Sequence, residues 1–362
     1  MSSRPSINAG LKDFSIWYSS YHGYVSLCVC FSGIITNIFN LTVLSRKHMR
    51  TPVNQILVGL AVSDIITMVS YVPFAVHFYV VHPSNKSNSD KNSYYWMMFL
   101  LFHINLTTVT HTVSIWLCVI LSIIRHLHVK SPSQVNMVRQ RRIRQAKYLV
   151  LAAFVGAIIA MIPNYLTNEL KPLRISTNQT NGTMYVIKSM RLGGNDTDPL
   201  VLTNVWLYAF VAKLVPCLLI SIFGSLLLYQ LHVKVRQRKQ FLSVSGSSSR
   251  RLQEHSRTTK MLISVILLFL VTELPQGVLI VLSATKKYFF DTVYLPLGDV
   301  MDIVALINNA VNFILYCSMS TKFRQTFINQ YFQCKHVKPV ENGYTLSAIR
   351  EKSDSQSNNN QV

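Results

Sequence analysis

The sequence predicts an all-α membrane protein: a bundle of seven transmembrane helices followed by a short amphipathic helix. Half of the 362 residues are hydrophobic and only 14% are charged, whereas roughly 25% of the residues in a typical soluble domain are charged. Seven apolar runs follow one another along the chain, and each can supply the roughly 20 residues that cross a bilayer. Basic residues are concentrated in alternate connecting segments, which is how the topology of a membrane protein is encoded.

The apolar runs define the order of the elements. They lie at residues 24–45, 53–81, 96–124, 147–167, 201–231, 261–284 and 294–318. Several of them contain a proline, namely Pro73, Pro163, Pro216 and Pro275. A soluble helix would be broken at these positions, but membrane helices tolerate the kinks that proline causes.

The chain divides into an N-terminal segment, a transmembrane domain and a tail. We expect an extracellular N-terminus at residues 1–22, the transmembrane domain with its amphipathic helix at 23–333, and a disordered cytoplasmic tail at 334–362. Within residues 321–333, Phe323, Phe327 and Tyr331 share one face, which suits a helix lying on the inner membrane surface. Cys334 follows this helix directly and is a candidate for palmitoylation.

The charges of the loops set the predicted orientation. Segments 46–50 and 125–147 hold basic residues and no acid, and segment 232–260 holds a single acid, Glu254. The positive-inside rule makes these segments cytoplasmic. We therefore expect a multi-pass plasma-membrane protein with its N-terminus outside and its C-terminus inside. The net charge of +21 then reflects topology rather than nucleic-acid binding. Four glycosylation sequons fall in loops assigned to the outside, at Asn85, Asn178, Asn181 and Asn195.

Polar residues inside the apolar runs are the strongest sign of function, because an aspartate or lysine at mid-membrane costs about 2.5–3.5 kcal/mol. The second run contains Asp64, and the third ends at Arg125. The seventh run contains Asn308, Asn312 and Tyr316, which are spaced four apart and so share one helix face.

This set of residues resembles the rhodopsin-like G-protein-coupled receptor family across residues 24–333. The resemblance implies an allosteric sodium ion, and no other cofactor, at a site formed by Asp64, Ser114, Asn308 and Asn312. It also implies that a heterotrimeric G protein binds on the inner side at Arg125, His126 and Tyr316. Arrestin and membrane lipid are further partners that the resemblance implies.

Three departures narrow the resemblance. Ile124 stands where most members carry an acid before the arginine, and residues 272–275 read Thr-Glu-Leu-Pro where most carry Cys-Trp-x-Pro. No predicted outer loop contains a cysteine, so the usual disulfide from helix three to the second outer loop cannot form. Segments 269–277 and 312–317 are similar to those of the invertebrate myosuppressin and FMRFamide-like neuropeptide receptors. This similarity implies a peptide ligand that ends in Arg-Phe-amide.

Such a peptide requires a carboxylate for its guanidinium and aromatic walls for its ring. We expect Asp302 to receive the arginine, with Asp299 nearer the mouth of the pocket. Glu273 lies deeper, where a lone carboxylate would protonate or find a partner, and alignment with the family places His111 and Lys213 at its level. Either these three residues form a buried cluster that replaces the tryptophan switch, or Glu273 contacts the peptide arginine directly. Candidate walls of the pocket are Tyr71, Phe74, His77, Phe78, Thr107, Thr108 and Gln276.

Other classes of protein fit the sequence less well. The nearest alternative is a chemosensory receptor of the same fold for a small molecule, because it differs only in its ligand. A transporter would favour internal repeats, and the sequence shows none. An enzyme is not expected, since the His-Glu-x-x-His and Gly-x-Ser-x-Gly signatures are absent. A light receptor would need a retinal-binding lysine within residues 294–318, and that run has no lysine.

Overall fold

The structure, a computed structural model, describes residues 9–82, 89–130, 136–177, 180–187, 199–241, 249–286 and 288–332. Its α-helices are α1 (Ala9–Leu44), α2 (Pro52–Ala75), α3 (Tyr94–Lys130), α4 (Asn136–Ala160), α5 (Ile162–Thr167), α6 (Pro199–Tyr208), α7 (Val215–Phe241), α8 (Ser249–Thr285), α9 (Leu295–Met319) and α10 (Thr321–Tyr331). Segments of π-helix extend them at Val76–Val81, Ala209–Leu214 and Phe290–Tyr294, and a 3-10 turn lies at Lys47–Met49. Strands β1 (Leu170–Thr177) and β2 (Thr180–Ile187) pair as an antiparallel hairpin.

The predicted seven-helix bundle is confirmed. Helices α1, α2 and α3 are the first three spans, α4 with α5 is the fourth, α6 with α7 is the fifth, α8 is the sixth and α9 is the seventh. In the described part of the chain, six spans are long and apolar enough to cross a membrane, and the apolar stretch of α8, Leu270–Thr285, is shorter. The bundle lies within one compact unit, Met1–Phe327, and a second unit, Ile328–Val362, begins inside α10.

The boundaries of the helices follow local chemistry. Pro52 opens α2 at a position where the missing N–H is harmless. The Thr51 hydroxyl caps this helix by accepting a hydrogen bond from Asn54 N at 3.1 Å. Between α4 and α5 the helix breaks at Met161, and Pro163 lies in the first turn of α5, where proline is tolerated.

The first helix begins at Ala9 rather than near residue 24, so helix occupies most of the segment predicted as an extracellular N-terminus. Its first turns carry Tyr18 and His22, whose rings lie 5.6 Å apart. They lie at the end of the bundle that the loop charges predict to face outside, and we call it the outer end for that reason. The His22 ring also lies 4.7 Å from the ring of Tyr79, in the π-helical end of the second span. Hydropathy does not reveal these turns because their contacts are aromatic and polar rather than aliphatic.

The β-hairpin occupies the second outer connection, between α5 and α6, and the sequence did not predict it. Its register places Leu170 opposite Ile187 and Thr177 opposite Thr180. The connection between α5 and α6 is therefore a paired β-hairpin along residues Leu170–Thr177 and Thr180–Ile187.

The inner half of the bundle has an aliphatic core. Leu57 and Leu60 of α2 pack with Leu117 and Leu121 of α3, and Tyr316 of α9 belongs to the same buried cluster. This packing holds α9 against the second and third spans, and so it positions the polar residues that α9 carries.

Candidate functional site

A buried charge cluster lies in the middle of the bundle. Lys213 and Glu273 have side chains that are 0% and 1% exposed, and Lys213 Nζ donates to Glu273 Oε2 at 2.5 Å. Lys213 Nζ also lies 2.6 Å from His111 Nε2 and donates to Gln276 Oε1 at 2.7 Å. These contacts match the three N–H donors of an ammonium group. His111 Nε2 lies 2.8 Å from Glu273 Oε2, so the three titratable groups share one network.

Local backbone geometry positions this cluster. Lys213 belongs to the π-helical segment Ala209–Leu214, which joins α6 to α7, and such segments are frequent at functional sites. Glu273 and Gln276 flank Pro275, which lies inside α8. Proline removes a backbone hydrogen bond and favours a kink, so the cluster is attached to the part of α8 most able to bend.

A cavity of about 350 Å³ lies beside the cluster. Predicted residues on its wall are Tyr71, Phe74, Thr107, Thr108, His111, Gln276 and Asp302. The structure adds further wall residues that the sequence reasoning missed, including His103, Tyr208, Tyr294 and Asn309. The volume is within the usual range for small-ligand sites, about 300–1,000 Å³, and the wall combines a carboxylate with several aromatic rings.

Both outer aspartates of the seventh span accept hydrogen bonds from tyrosines of the second span. Tyr71 donates to Asp302 Oδ2 at 3.3 Å, and Tyr79 donates to Asp299 Oδ1 at 2.6 Å. His22 Nε2 lies 2.8 Å from the Tyr71 oxygen. In the tautomer with the proton on Nε2, His22 donates to Tyr71 while Tyr71 donates to Asp302. The order His22, Tyr71, Asp302 therefore links α1 to the cavity, whereas Asp299 lies outside the lining.

His22 and Tyr79 were not identified from the sequence. The signal that could have found them is the helical spacing of Tyr18, His22 and Ser26, which places polar and aromatic groups on one face of α1. The Ser26 hydroxyl lies 3.3 Å from His22 Nε2, consistent with that shared face.

The predicted wall residues His77 and Phe78 do not line the cavity. The His77 ring stacks on Trp96 with centroids 3.7 Å apart, and His77 Nε2 lies 3.1 Å from the carbonyl oxygen of Lys91. Phe78 is buried beside the same tryptophan. Burial lowers the pKa of the Lys91 ammonium, which donates to the carbonyl oxygen of His82. His77 therefore holds the first outer loop in place.

The hairpin is attached to the same loop through hydrogen bonds. Tyr185 N donates to the Asn92 carbonyl at 2.9 Å, and Asn92 Nδ2 donates to the Tyr185 carbonyl at 3.2 Å. The Tyr185 and Tyr94 rings also lie 5.2 Å apart, at the start of α3. The cysteines in the described part of the chain are free, so the outer end of α3 is joined to the hairpin without a disulfide there.

Towards the inner side, polar residues surround Asp64. Asn312 Nδ2 donates to Asp64 Oδ2 at 3.1 Å, and the Ser114 hydroxyl lies 3.4 Å from Asp64 Oδ1. Asn308 is buried on the same face of α9. No basic side chain in the described residues pairs with Asp64. The carboxylate of Asp64 and the hydroxyl of Ser114 are oxygen ligands of the kind a hard cation prefers, whereas the Asn312 amide presents its N–H to Asp64. If sodium binds, Asp64, Ser114, Asn308 and Asn312 are the residues that would hold it.

The inner end of α3 carries Arg125. Its side chain is buried, and its Nε has no hydrogen-bond partner among the described residues. Ile124 packs against the inner core, so the neighbouring residue offers Arg125 no charge. The ring of His126 lies 6.0 Å from that of Phe223, and the ring of Tyr316 lies 5.6 Å from that of Phe323.

The predicted modification sites fall mostly beyond the described residues. Asn85, Asn178, Asn195 and Cys334 lie outside them. Asn181 lies in β2, where its backbone is opposite Ser176.

Comparisons with known proteins agree with this architecture. The sequence profile of the family described as serpentine type 7TM GPCR chemoreceptor Srw matches residues 24–335. The chain is 30% identical to the G-protein coupled receptor dmsr-1 of Caenorhabditis elegans, over 88% of this chain and 69% of that protein. It is 25% identical to the sex peptide receptor of Drosophila melanogaster, over 84% and 71% of the two chains. It is 22% identical to the FMRFamide receptor of the same fly, over 83% and 52%.

The family match covers most of the chain, including the second part of α1 and the other six spans, and the resemblance to G-protein-coupled receptors is confirmed. These relatives are receptors and not enzymes. The chain is therefore a multi-pass membrane protein that belongs to the seven-transmembrane G-protein-coupled receptors of the Srw family.

Proposed function

We propose that this protein is a receptor for a neuropeptide ending in Arg-Phe-amide and that peptide binding activates a heterotrimeric G protein. The observation that carries the proposal is the cavity among the second, third, fifth, sixth and seventh spans, where Asp302 and aromatic rings both belong to the lining. The carboxylate suits the guanidinium of the arginine. Phe74 and His103, stacked with centroids 4.6 Å apart, offer an aromatic surface to the phenylalanine ring.

The names of the relatives support a peptide ligand. One is a sex peptide receptor, another is an FMRFamide receptor, and a third is the neuromedin-U receptor 1 of Mus musculus, which is 26% identical over 88% of this chain and 77% of that protein. The Arg-Phe-amide ending rests on the more distant FMRFamide receptor and on the carboxylate of the cavity.

In the proposed mechanism, the peptide arginine displaces the Tyr71 hydroxyl from Asp302. The amide end of the peptide reaches Gln276 and disturbs its hydrogen bond from Lys213. Repacking of the cluster then tilts α8 about Pro275 and exposes Arg125 to the G protein. The basic segments at this end of the bundle support a cytoplasmic C-terminus, and arrestin would bind on the same side.

A chemosensory role is the second candidate, because the description of the matching family names a chemoreceptor. A cation-binding carboxylate is expected for an arginine-containing peptide and is not required for a neutral odorant. Identifying the ligand that activates the receptor therefore distinguishes a neuropeptide receptor from a chemosensory receptor.

The test is a signalling assay in cells that express the receptor. A panel would contain Arg-Phe-amide peptides, matched peptides ending in Ala-Phe-amide or in the free acid Arg-Phe, and a set of small odorants. We expect nanomolar to micromolar responses to the Arg-Phe-amide peptides and much weaker responses to both matched peptides. Activation by odorants and by no peptide would reject the proposal in favour of chemosensing.

A further inference from the structure

A basic groove lies at the start of α4, separate from the ligand cavity. It has a volume of about 850 Å³. Four cationic side chains line it: Arg50, Arg141, Arg144 and Lys147. The remaining lining residues are Met137, Val138, Gln140 and Ile143.

In the described part of the chain, no acid balances the charge of this groove. The chain contains no aspartate or glutamate between Asp90 and Glu169. Among the described residues, no ion pair joins Arg141, Arg144 or Lys147 to a carboxylate. Because α4 begins at Asn136, the positive end of its helix dipole adds to the same field. The groove therefore attracts an anion that carries several charges.

The wall opposite α4 is held in place by hydrogen bonds. Arg50 lies on the short inner loop between α1 and α2, and its N–H donates to the Lys47 carbonyl. The preceding carbonyl, that of Met49, accepts from Asn54 Nδ2 at 2.5 Å. Arg139 Nη2 donates to the Arg50 carbonyl at 3.0 Å and so ties this loop to α4. The loop between α1 and α2, which forms one wall, is thus hydrogen-bonded to α4, which forms the other, without a ligand.

The groove lies where an apolar helix surface meets water. The span that begins at Met137 is the least buried of the spans in the described part of the chain, and exposed Tyr148 and Leu151 follow the basic residues. Met137 and Val138 are exposed at its start. Cations beside an exposed apolar helix suit the headgroup of a lipid whose acyl chains lie along that helix, and basic pockets at cytoplasmic helix ends bind such headgroups.

We propose that this groove binds the headgroup of a phospholipid with several phosphates, of the phosphoinositide class, from the cytoplasmic leaflet. Four cations in one groove match a multiply charged headgroup better than the single net charge of phosphatidylserine. The inference uses the proposed orientation of the chain and is independent of the peptide ligand.

The test uses the full-length receptor in phosphatidylcholine nanodiscs, titrated with a fluorescent short-chain phosphatidylinositol bisphosphate. Each basic residue near an anionic headgroup is worth roughly fivefold in affinity. We therefore expect Arg141→Gln/Arg144→Gln to bind about thirtyfold more weakly. Arg141→Lys/Arg144→Lys retains the charge and keeps most of the affinity. The matched control, Lys322→Gln/Arg324→Gln, removes the same charge from exposed positions of α10 outside the groove and keeps the affinity.

Three results would overturn the proposal. An equal loss in the control would show general attraction of anions. Free inositol trisphosphate that binds as tightly as the lipid would identify a site for a soluble anion. Unchanged lipid binding with lost basal G-protein activation in Arg141→Gln/Arg144→Gln would make the groove a transducer contact. None of these readouts uses a peptide, so failure of the proposed ligand leaves them interpretable.

Discussion

Replacing Lys213 by methionine tests the buried cluster most directly. Methionine has a similar length and no charge, so Lys213→Met leaves Glu273 buried with only His111 as a close partner. Breaking a buried ion pair by removing one partner costs about 3–5 kcal/mol, because the remaining charge is uncompensated. We expect the free energy of unfolding to fall by about that amount. The measurements are thermal unfolding of the purified receptor, its amount at the cell surface and its basal signalling.

An exposed ion pair supplies the matched control. Lys171 Nζ lies 4.0 Å from Glu169 Oε2, and the two side chains are 54% and 57% exposed. Such surface pairs contribute only about 0–1 kcal/mol, so Lys171→Met is expected to unfold nearly as the wild type does. The double variant Lys213→Met/Glu273→Leu removes both charges and is expected to recover most of the stability, because an apolar replacement of a buried pair is often neutral.

The reasoning is refuted if Lys213→Met is as stable as Lys171→Met and its basal signalling is unchanged. That result would mean that Glu273 does not depend on Lys213. It would favour the competing hypothesis, in which Glu273 contacts the peptide arginine directly.

Three further predictions concern the cavity and the inner half of the bundle. Asp302→Asn should lower the potency of an Arg-Phe-amide peptide roughly tenfold to a hundredfold at normal surface expression. The control is Asp291→Asn, at an exposed position outside the cavity lining, which should leave the potency unchanged. Equal potency for the two variants would reject the contact between Asp302 and the peptide arginine. Ile124→Asp should lower basal signalling, because it offers Arg125 a neighbouring carboxylate. The uncharged Ile124→Asn is the control, and a fall of basal signalling in both variants would mean that lost packing is the cause. Asp64→Asn should abolish any difference in peptide binding between sodium chloride and choline chloride, and a persisting difference would place the ion elsewhere.

The architecture was predictable because lipid requires apolar helix surfaces, and hydropathy measures that requirement. The same measure misplaced the start of α1, where Tyr18 and His22 contact other rings instead of lipid. It also gave no sign of the hairpin. The apolar residues of β1 do not alternate strictly, and Pro172 argues against a strand, so only the pairing of the two strands reveals it.

Part of the candidate site followed from the sequence for a physical reason. A lone glutamate in a membrane span would protonate or find a partner. The identity of its partners came from alignment with the receptor family, and the structure places Lys213 and His111 beside Glu273. The tyrosines that contact the outer aspartates could not be derived in this way. Tyrosine is common in packed helices, and the partner of Tyr79 depends on a π-helical turn that the sequence pattern does not show.

The two hydrogen bonds between Asn92 and Tyr185 also give the outer face of the receptor a chemical property of its own. Hydrogen bonds of this kind contribute about 0.5–1.5 kcal/mol each, so this joint is held by weak, reversible contacts rather than by a covalent bridge. Thiol reductants have no bond to break at this joint. A concentration–response curve recorded in dithiothreitol is therefore expected to coincide with the untreated curve, and a loss of response would reveal a sulfur link elsewhere. The joint between the hairpin and the segment before α3 is thus a reversible contact whose strength does not depend on the redox state of its surroundings.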